Sequence, residues 1–263
     1  MNSVLQEVLV DLDAEGGRLE RLVSGLDEAG WQRPTPAAGW SVKHQIAHLA
    51  WTDEAATAAA TDPVAWDALV SAAIANPDGF VDDSAAEGTT AEAAQLLNRW
   101  RRSRAALREA LRGRPAGQKM PWYGPPMSPT SMATARFMET WAHGLDVAET
   151  LGELPEPTDA IRHIVHLGVR TRNYAFAVHG LPVPSEDFRF SLVAPSGSRW
   201  ETGSRSAAQA VRGSAYDFCL LVAQRRNRAD LDLIADGADA DRWLDIAQAF
   251  AGPAGSGRGA ADE

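Results

Sequence analysis

Lysine is nearly absent from this chain: Lys43 and Lys119 are the only two among 25 basic residues, and arginine carries the rest of the positive charge. With alanine and glycine abundant, we read that bias as G+C-rich codon usage rather than as a functional signature. Positive charge is itself in short supply. A formal net charge of −10 argues against broad contact with phosphate backbones or anionic lipid, both of which need clustered cations, so neither nucleic acid nor membrane is an expected partner. Nowhere do about eighteen uncharged apolar residues run together, so no membrane-spanning helix is expected. Met1, Asn2 and Ser3 lead into a mixed helical stretch rather than a basic segment and an apolar run, so no export signal is expected either. One cysteine, Cys219, cannot form an internal disulfide, which fits a reducing compartment, by default the cytoplasm. What the chain does have is 45% hydrophobic residues over 263 positions, enough for a real core.

Apolar residues in the first half recur at spacings of three and four. Val4, Leu5, Val8, Leu9 and Leu12 continue through Leu19, Leu22 and Leu26 as one helix. Pro34 and Pro36 interrupt the pattern, and Ser41 then caps a second helix that runs to about Ala60 and closes at Asp62-Pro63. An Ala-, Asp- and Gly-rich region follows, with a short helix around Trp66 to Ile74. A third long helix runs from Thr89 or Thr90 to about Arg112, its arginines forming a solvated face, and a fourth from about Thr130 to Leu151. Four long helices predict a bundle. The aperiodic, proline-bearing stretch from Gly152 to Thr158 is the expected boundary between domains of residues 1–157 and 158–263. Beyond it come a helix from Asp159 to His179, strands at Phe188 to Val193, Arg199 to Thr202, Ala208 to Arg212 and Leu231 to Ala235, and helices at Ser214 to Arg225 and Asp239 to Phe250. The expected fold class is α+β: a helical bundle with a smaller α/β C-terminal domain and a tail, from about Gly252, too poor in apolar residues to fold alone.

Glu139 and His143 stand four apart on a predicted helix, so their tips can meet at one ion. A third ligand must come from another helix, and His48, within the uncharged run from Ile46 to Trp51, is the candidate. Two imidazoles and a carboxylate leave a zinc ion one open position, as in a catalytic site. The plainer alternatives are a surface Glu–His pair and a hydrogen-bonded core histidine. His44, four residues before His48, also competes, and spacing does not choose between His44 and Glu139.

The run from Gly39 to Trp51 resembles the first metal motif of the DinB-like mycothiol-dependent maleylpyruvate isomerase family, and the run from Arg136 to Val147 resembles the second. The resemblance implies a DinB-like four-helix bundle in which His48, Glu139 and His143 ligate a divalent metal. His44 occupies the place of the family's usual acidic residue. Past the boundary, Val211 to Phe218 and Leu220 to Arg225 are similar to the family's α/β C-terminal domain. There Arg225 matches an arginine associated with the active site, although this chain reads Gln224-Arg225 where Gly-Arg is usual. The segments from Pro121 to His143 and from Ala247 to Pro253 resemble a subfamily described only as metal-binding.

The resemblance implies an enzyme of low-molecular-weight thiol chemistry, with mycothiol as cosubstrate. It would be an isomerase or an S-transferase acting on a small electrophile whose carboxylate Arg225 could clamp. One alternative is a metal-dependent hydrolase, for which Asp53 and Glu54 are the nearby carboxylates, though neither shares the face of His48 cleanly. The other is a non-catalytic metal- or small-ligand-binding protein. Cys219 is read as a core residue.

Overall fold

The computed structural model describes residues 3–250, 252, 254, 255 and 257–260; the rest of the expected C-terminal tail lies outside the described residues. Contacts divide the chain into two compact units, Met1–Pro155 and Glu156–Glu263.

Four long helices build the first unit: α1 (Ser3–Val23), α3 (Val42–Thr61), α6 (Ala93–Gly113) and α7 (Pro129–Leu151), with a one-turn α2 (Glu28–Trp31) between the first two. Each long helix forms where the sequence repeats apolar residues at helical spacing, and each starts or stops on a recognisable signal. Ser128 accepts a hydrogen bond from Ser131 N–H at the start of α7 and Pro129 opens the first turn. Gly152, at φ 75°, ends α7 in the left-handed conformation. Helix α3 packs chiefly on α6, with α5 and α7 also against it, and α1 packs on α7. Two apolar clusters fill the bundle, one around Ile46, Leu49, Trp100 and Val147 and the other around Leu9, Ala56, Leu107 and Met132. Full burial of each aliphatic side chain contributes about 1.5–3 kcal/mol.

Between α3 and α6 the chain is more regular than the sequence reading expects, with two helices, α4 (Pro63–Ala75) and α5 (Phe80–Gly88), in place of one short one. Asp62-Pro63, read as a terminator, also starts the next helix: the Asp62 carboxylate accepts from the N–H groups of Val64 and Ala65, and Pro63 takes the first turn. Trp66 is the only buried residue of α4, so no apolar stripe marks its full extent.

All strands fall in the second unit. In order it runs through a 3₁₀ turn (Asp159–Ile161), α8 (Arg162–Arg170), α9 (Arg172–Val178), β1 (Phe188–Val193), β2 (Arg199–Thr202), β3 (Gln209–Ser214), α10 (Ala215–Val222), a second 3₁₀ turn (Arg228–Asp230), β4 (Leu233–Asp236) and α11 (Ala238–Ile246). The sheet order is β2-β1-β3-β4, with β1 and β3 parallel and the outer pairs antiparallel. Phe190, Phe218 and Trp243 meet beneath it with ring centroids 5.5–5.8 Å apart. The single helix expected over 159–179 is divided at Thr171 into α8 and α9. The helix expected to reach Arg225 stops at Val222, just ahead of Gln224 at φ 54°. The architecture is α+β. Among the described residues no helix is long and apolar enough to cross a membrane.

Candidate metal centre

Helices α3 and α7 run antiparallel, and a ladder of polar pairs crosses their interface: Gln45 with His143, His48 with Glu139, and Asp53 with Arg136. The ladder lies between the two apolar clusters. At its centre His48, Glu139 and His143 each offer a ligand atom within 4.8 Å of the other two. Nε2 of His143 is 3.2 Å, and Nε2 of His48 3.7 Å, from the same Glu139 oxygen. The imidazole centroids are 4.5 Å apart. Burial alone would push the Glu139 carboxyl up, but hydrogen bonds and charge from His143 and His48 outweigh it and hold the group well below the usual carboxylate range. Glu139 therefore stands as a carboxylate.

The proton on His143 can be traced from a backbone group. The Trp40 carbonyl can only accept, and it accepts from the Thr35 hydroxyl at 2.8 Å. The Thr35 oxygen in turn accepts from Gln45 Nε2 at 2.8 Å, which turns the Gln45 carbonyl toward His143 Nδ1. Nδ1–H donates to it, which leaves Nε2 as the nitrogen facing His48 and Glu139, the one that would give up its proton to bind an ion. This is the arrangement that second-sphere partners impose on a metal-ligating histidine, and the donor set of two inward nitrogens and one carboxylate fits a divalent ion. His48 lacks that support: its Nδ1 is buried and makes no hydrogen bond.

The indole of Trp40 roofs the site, stacked on His143 at 5.7 Å and 16° and centred 5.2 Å from His48. Its Nε1–H donates to Asp82 of α5 at 2.9 Å. Trp51 flanks His48 on another side at 6.0 Å. His44 is not among the residues brought together. Its Nδ1 accepts from the backbone N–H of Ser41 at 3.2 Å, tying it into the N-terminal cap of α3, and burial pushes its imidazole pKa down against the opposing pull of Asp82. Asp53 and Glu54 are committed elsewhere, Asp53 to Arg136 and Glu54 to two nitrogens of Arg99 at 2.8 and 2.6 Å.

Arg225 belongs to the second unit, just past α10. Its Nη1 donates to the Ala223 carbonyl at 2.8 Å, placing a cation on the carbonyl end of that helix. Cys219 is fully buried, its thiol directed at the Ile161 carbonyl and its pKa pushed well up by burial.

The family model of the mycothiol maleylpyruvate isomerase N-terminal domain matches residues 12–148, a stretch that contains all three residues of the triad. The chain belongs to this family. Rv0036c, an uncharacterized protein of Mycobacterium tuberculosis strain H37Rv, is 54% identical over 250 residues, covering 95% of this chain and 97% of the relative. A counterpart in strain CDC 1551, the uncharacterized protein MT0041, matches equally. Among solved structures, a mycothiol-dependent maleylpyruvate isomerase shares 19% identity at a TM-score of 0.56, covering 84% of this chain and 91% of that one. A histidine-to-alanine mutant of such an isomerase gives 20% and 0.58, covering 89% and 95%. At that identity the likeness is one of fold.

Sequence reasoning passed over Gln45, Thr35 and Trp40 as site residues, and also the Asp53–Arg136 pair. A signal was there for Gln45: three residues before His48, it is a polar residue on the same helix face in an apolar run. Arg136 is likewise one turn before Glu139. Arg136 and Asp53 are 2% and 3% exposed, with Nε–H donating to Oδ1 at 2.9 Å. In this member of the isomerase N-terminal domain family, Arg136→Met is expected to cost about 3–5 kcal/mol, because it strands a buried carboxylate. The double change Asp53→Leu with Arg136→Met should recover most of that loss, as read from urea unfolding midpoints.

Proposed function

We propose that this protein is a metal-dependent enzyme of low-molecular-weight thiol chemistry, with mycothiol as the thiol and an isomerisation or S-transfer on a small carboxylated electrophile as the reaction. The observation that carries the reading is the convergence of His48, Glu139 and His143, with Nδ1 of His143 held by Gln45 and its Nε2 facing the other two. Glu139 keeps 25% side-chain exposure, so the donor set is reachable from solvent. Membership of the isomerase N-terminal domain family supports thiol chemistry, and the mycothiol-dependent isomerases of like fold support mycothiol in particular. Zinc suits a set of two imidazoles and one carboxylate with an open position. When bound, such an ion lowers the pKa of a thiol so that it reacts as the thiolate.

His48, Glu139 and His143 hold the centre, and Trp40 limits water on the imidazole side. In isomerisation, a C–S bond forms as the thiolate adds to an activated cis double bond, and the π electrons move onto the activating carbonyl. Rotation about the resulting single bond and elimination then return the thiolate and give the trans product. Stopping after addition and protonation makes the same protein a transferase. We assign the carboxylate contact to Arg225, which matches the family's arginine. A hydrolase would need a free general base, and the commitment of Asp53 and Glu54 to arginines weighs against it. Thiol use also fits a reducing compartment such as the cytoplasm.

His48→Ala and His143→Ala should each lose most bound metal by elemental analysis after dialysis, because two remaining ligands make a weak site. His44→Ala, which removes only a capping contact, should keep it. Full metal content in both of the first two variants would remove the triad from the reading. Gln45→Leu tests the relay itself: metal affinity in a competition titration should fall about 10- to 100-fold, the usual cost of losing an outer-sphere partner.

Mycothiol added to the cobalt-substituted protein should change the cobalt absorption spectrum, and Arg225→Ala should leave that change intact while lowering kcat/KM for a carboxylated electrophile. A cobalt spectrum that no thiol perturbs, in a protein that hydrolyses esters, would replace the thiol reading with the hydrolase.

A further inference from the structure

Arginines in this protein mostly meet carboxylates: Arg99 pairs with Glu54, Arg104 with Glu20, Arg189 with Glu201, Arg212 with Asp236, and Arg228 with Asp241 and Asp245. Arg172, the first residue of α9, is instead held by neutral acceptors, as Arg33 and Arg114 also are. Its Nε–H donates to the Asn173 side-chain oxygen at 2.8 Å and Nη1 to the Glu186 backbone carbonyl at 3.1 Å, both neutral acceptors. Its guanidinium carbon lies 4.4 Å over the Phe188 ring, which fixes the plane of the group. Three of the five guanidinium hydrogens, one on Nη1 and two on Nη2, are left over, enough for a paired contact with a carboxylate. Burial lowers the Arg172 pKa, and the more distant attraction of Asp187 and Asp239 does not make up the difference.

This guanidinium lines a cleft of about 300 Å³ in the second unit, together with Arg170, Asn173, Asp187, Phe188 and Thr202. The volume is at the low end for small-molecule sites. Arg225 is not among its lining residues.

We propose that this cleft binds the carboxylate of a small organic acid, Arg172 making the paired N–H contact. A rigid guanidinium held by neutral acceptors is already oriented, so little ordering entropy is lost when a carboxylate arrives. The proposal depends on neither the metal triad nor thiol chemistry.

Calorimetric titration of the full chain with benzoate, and with benzamide as its uncharged isostere, is the test. Benzoate should bind saturably with a stoichiometry of about one and benzamide at least about tenfold more weakly, since only the charged form can use the guanidinium. Arg172→Gln should weaken benzoate by at least about tenfold, Arg172→Lys should fall between, and Arg212→Gln, at a paired surface arginine, should bind as the unaltered protein does. Absence of saturable binding at about 10 mM benzoate, equal affinity for benzamide, or unchanged affinity in a folded Arg172→Gln would each overturn the proposal. The benzamide comparison uses the unaltered protein, so the test holds even if Arg172→Gln fails to fold.

Discussion

A carbonyl oxygen cannot donate a hydrogen bond, and much of the candidate centre follows from that restriction. The Trp40 carbonyl starts a chain in which each later group has one orientation left to it: the Thr35 hydroxyl, the Gln45 amide and finally the His143 ring. A histidine whose proton were free to sit on either nitrogen would present a lone pair to the site only part of the time. Here the choice is made about three side chains away, in the loop that joins α2 to α3, before any ligand is considered. Backbone bonds hold that loop in turn, Thr35 N–H to the Trp40 carbonyl at 2.8 Å and Val42 N–H to the Arg33 carbonyl at 3.0 Å.

Polar groups inside a bundle cost stability unless they are satisfied, and the α3–α7 interface satisfies its own unevenly. Gln45 and His143 are matched. Asp53 and Arg136 are paired, but one Arg136 nitrogen is buried without a hydrogen-bond partner, and so is Nδ1 of His48. The apolar clusters above and below carry this expense: Ile46, Leu49, Trp100 and Leu107 have almost no exposure. The same walls keep the dielectric low around the triad, where charges act more strongly on one another than they would in water. Packing and chemistry thus draw on the same residues.

The four long helices and the α+β class were legible, because each rests on local periodicity or punctuation that survives in a single sequence. The core of α4 was legible as the short helix around Trp66 to Ile74, but α5 was not, since its buried residues are only Ala85 and Gly88 and leave no stripe to read. Nor was the break at Thr171, a position that carries neither proline nor glycine. Spacing brought His48, Glu139 and His143 into view but left His44 as a rival to Glu139. Family resemblance favoured Glu139, and the geometry occupies His44 with the Ser41 cap. The Thr35–Gln45 relay joins residues ten apart across a proline-bounded loop, a contact that no periodicity encodes. Arg172 was invisible for a different reason, because the Glu186 carbonyl and the Phe188 ring that hold it are brought to it by the tertiary fold.

The triad draws its members from α3 and α7, about ninety residues apart in the chain. An ion shared between them would close a loop of that length, and the entropy of such a closure is taken chiefly from the unfolded chain. The centre would then act as a removable cross-link as well as a reagent, in a protein whose single buried cysteine leaves it no disulfide to serve that purpose. Folding and the supply of metal would be one equilibrium, and the bundle's persistence in a cell would follow the availability of the ion.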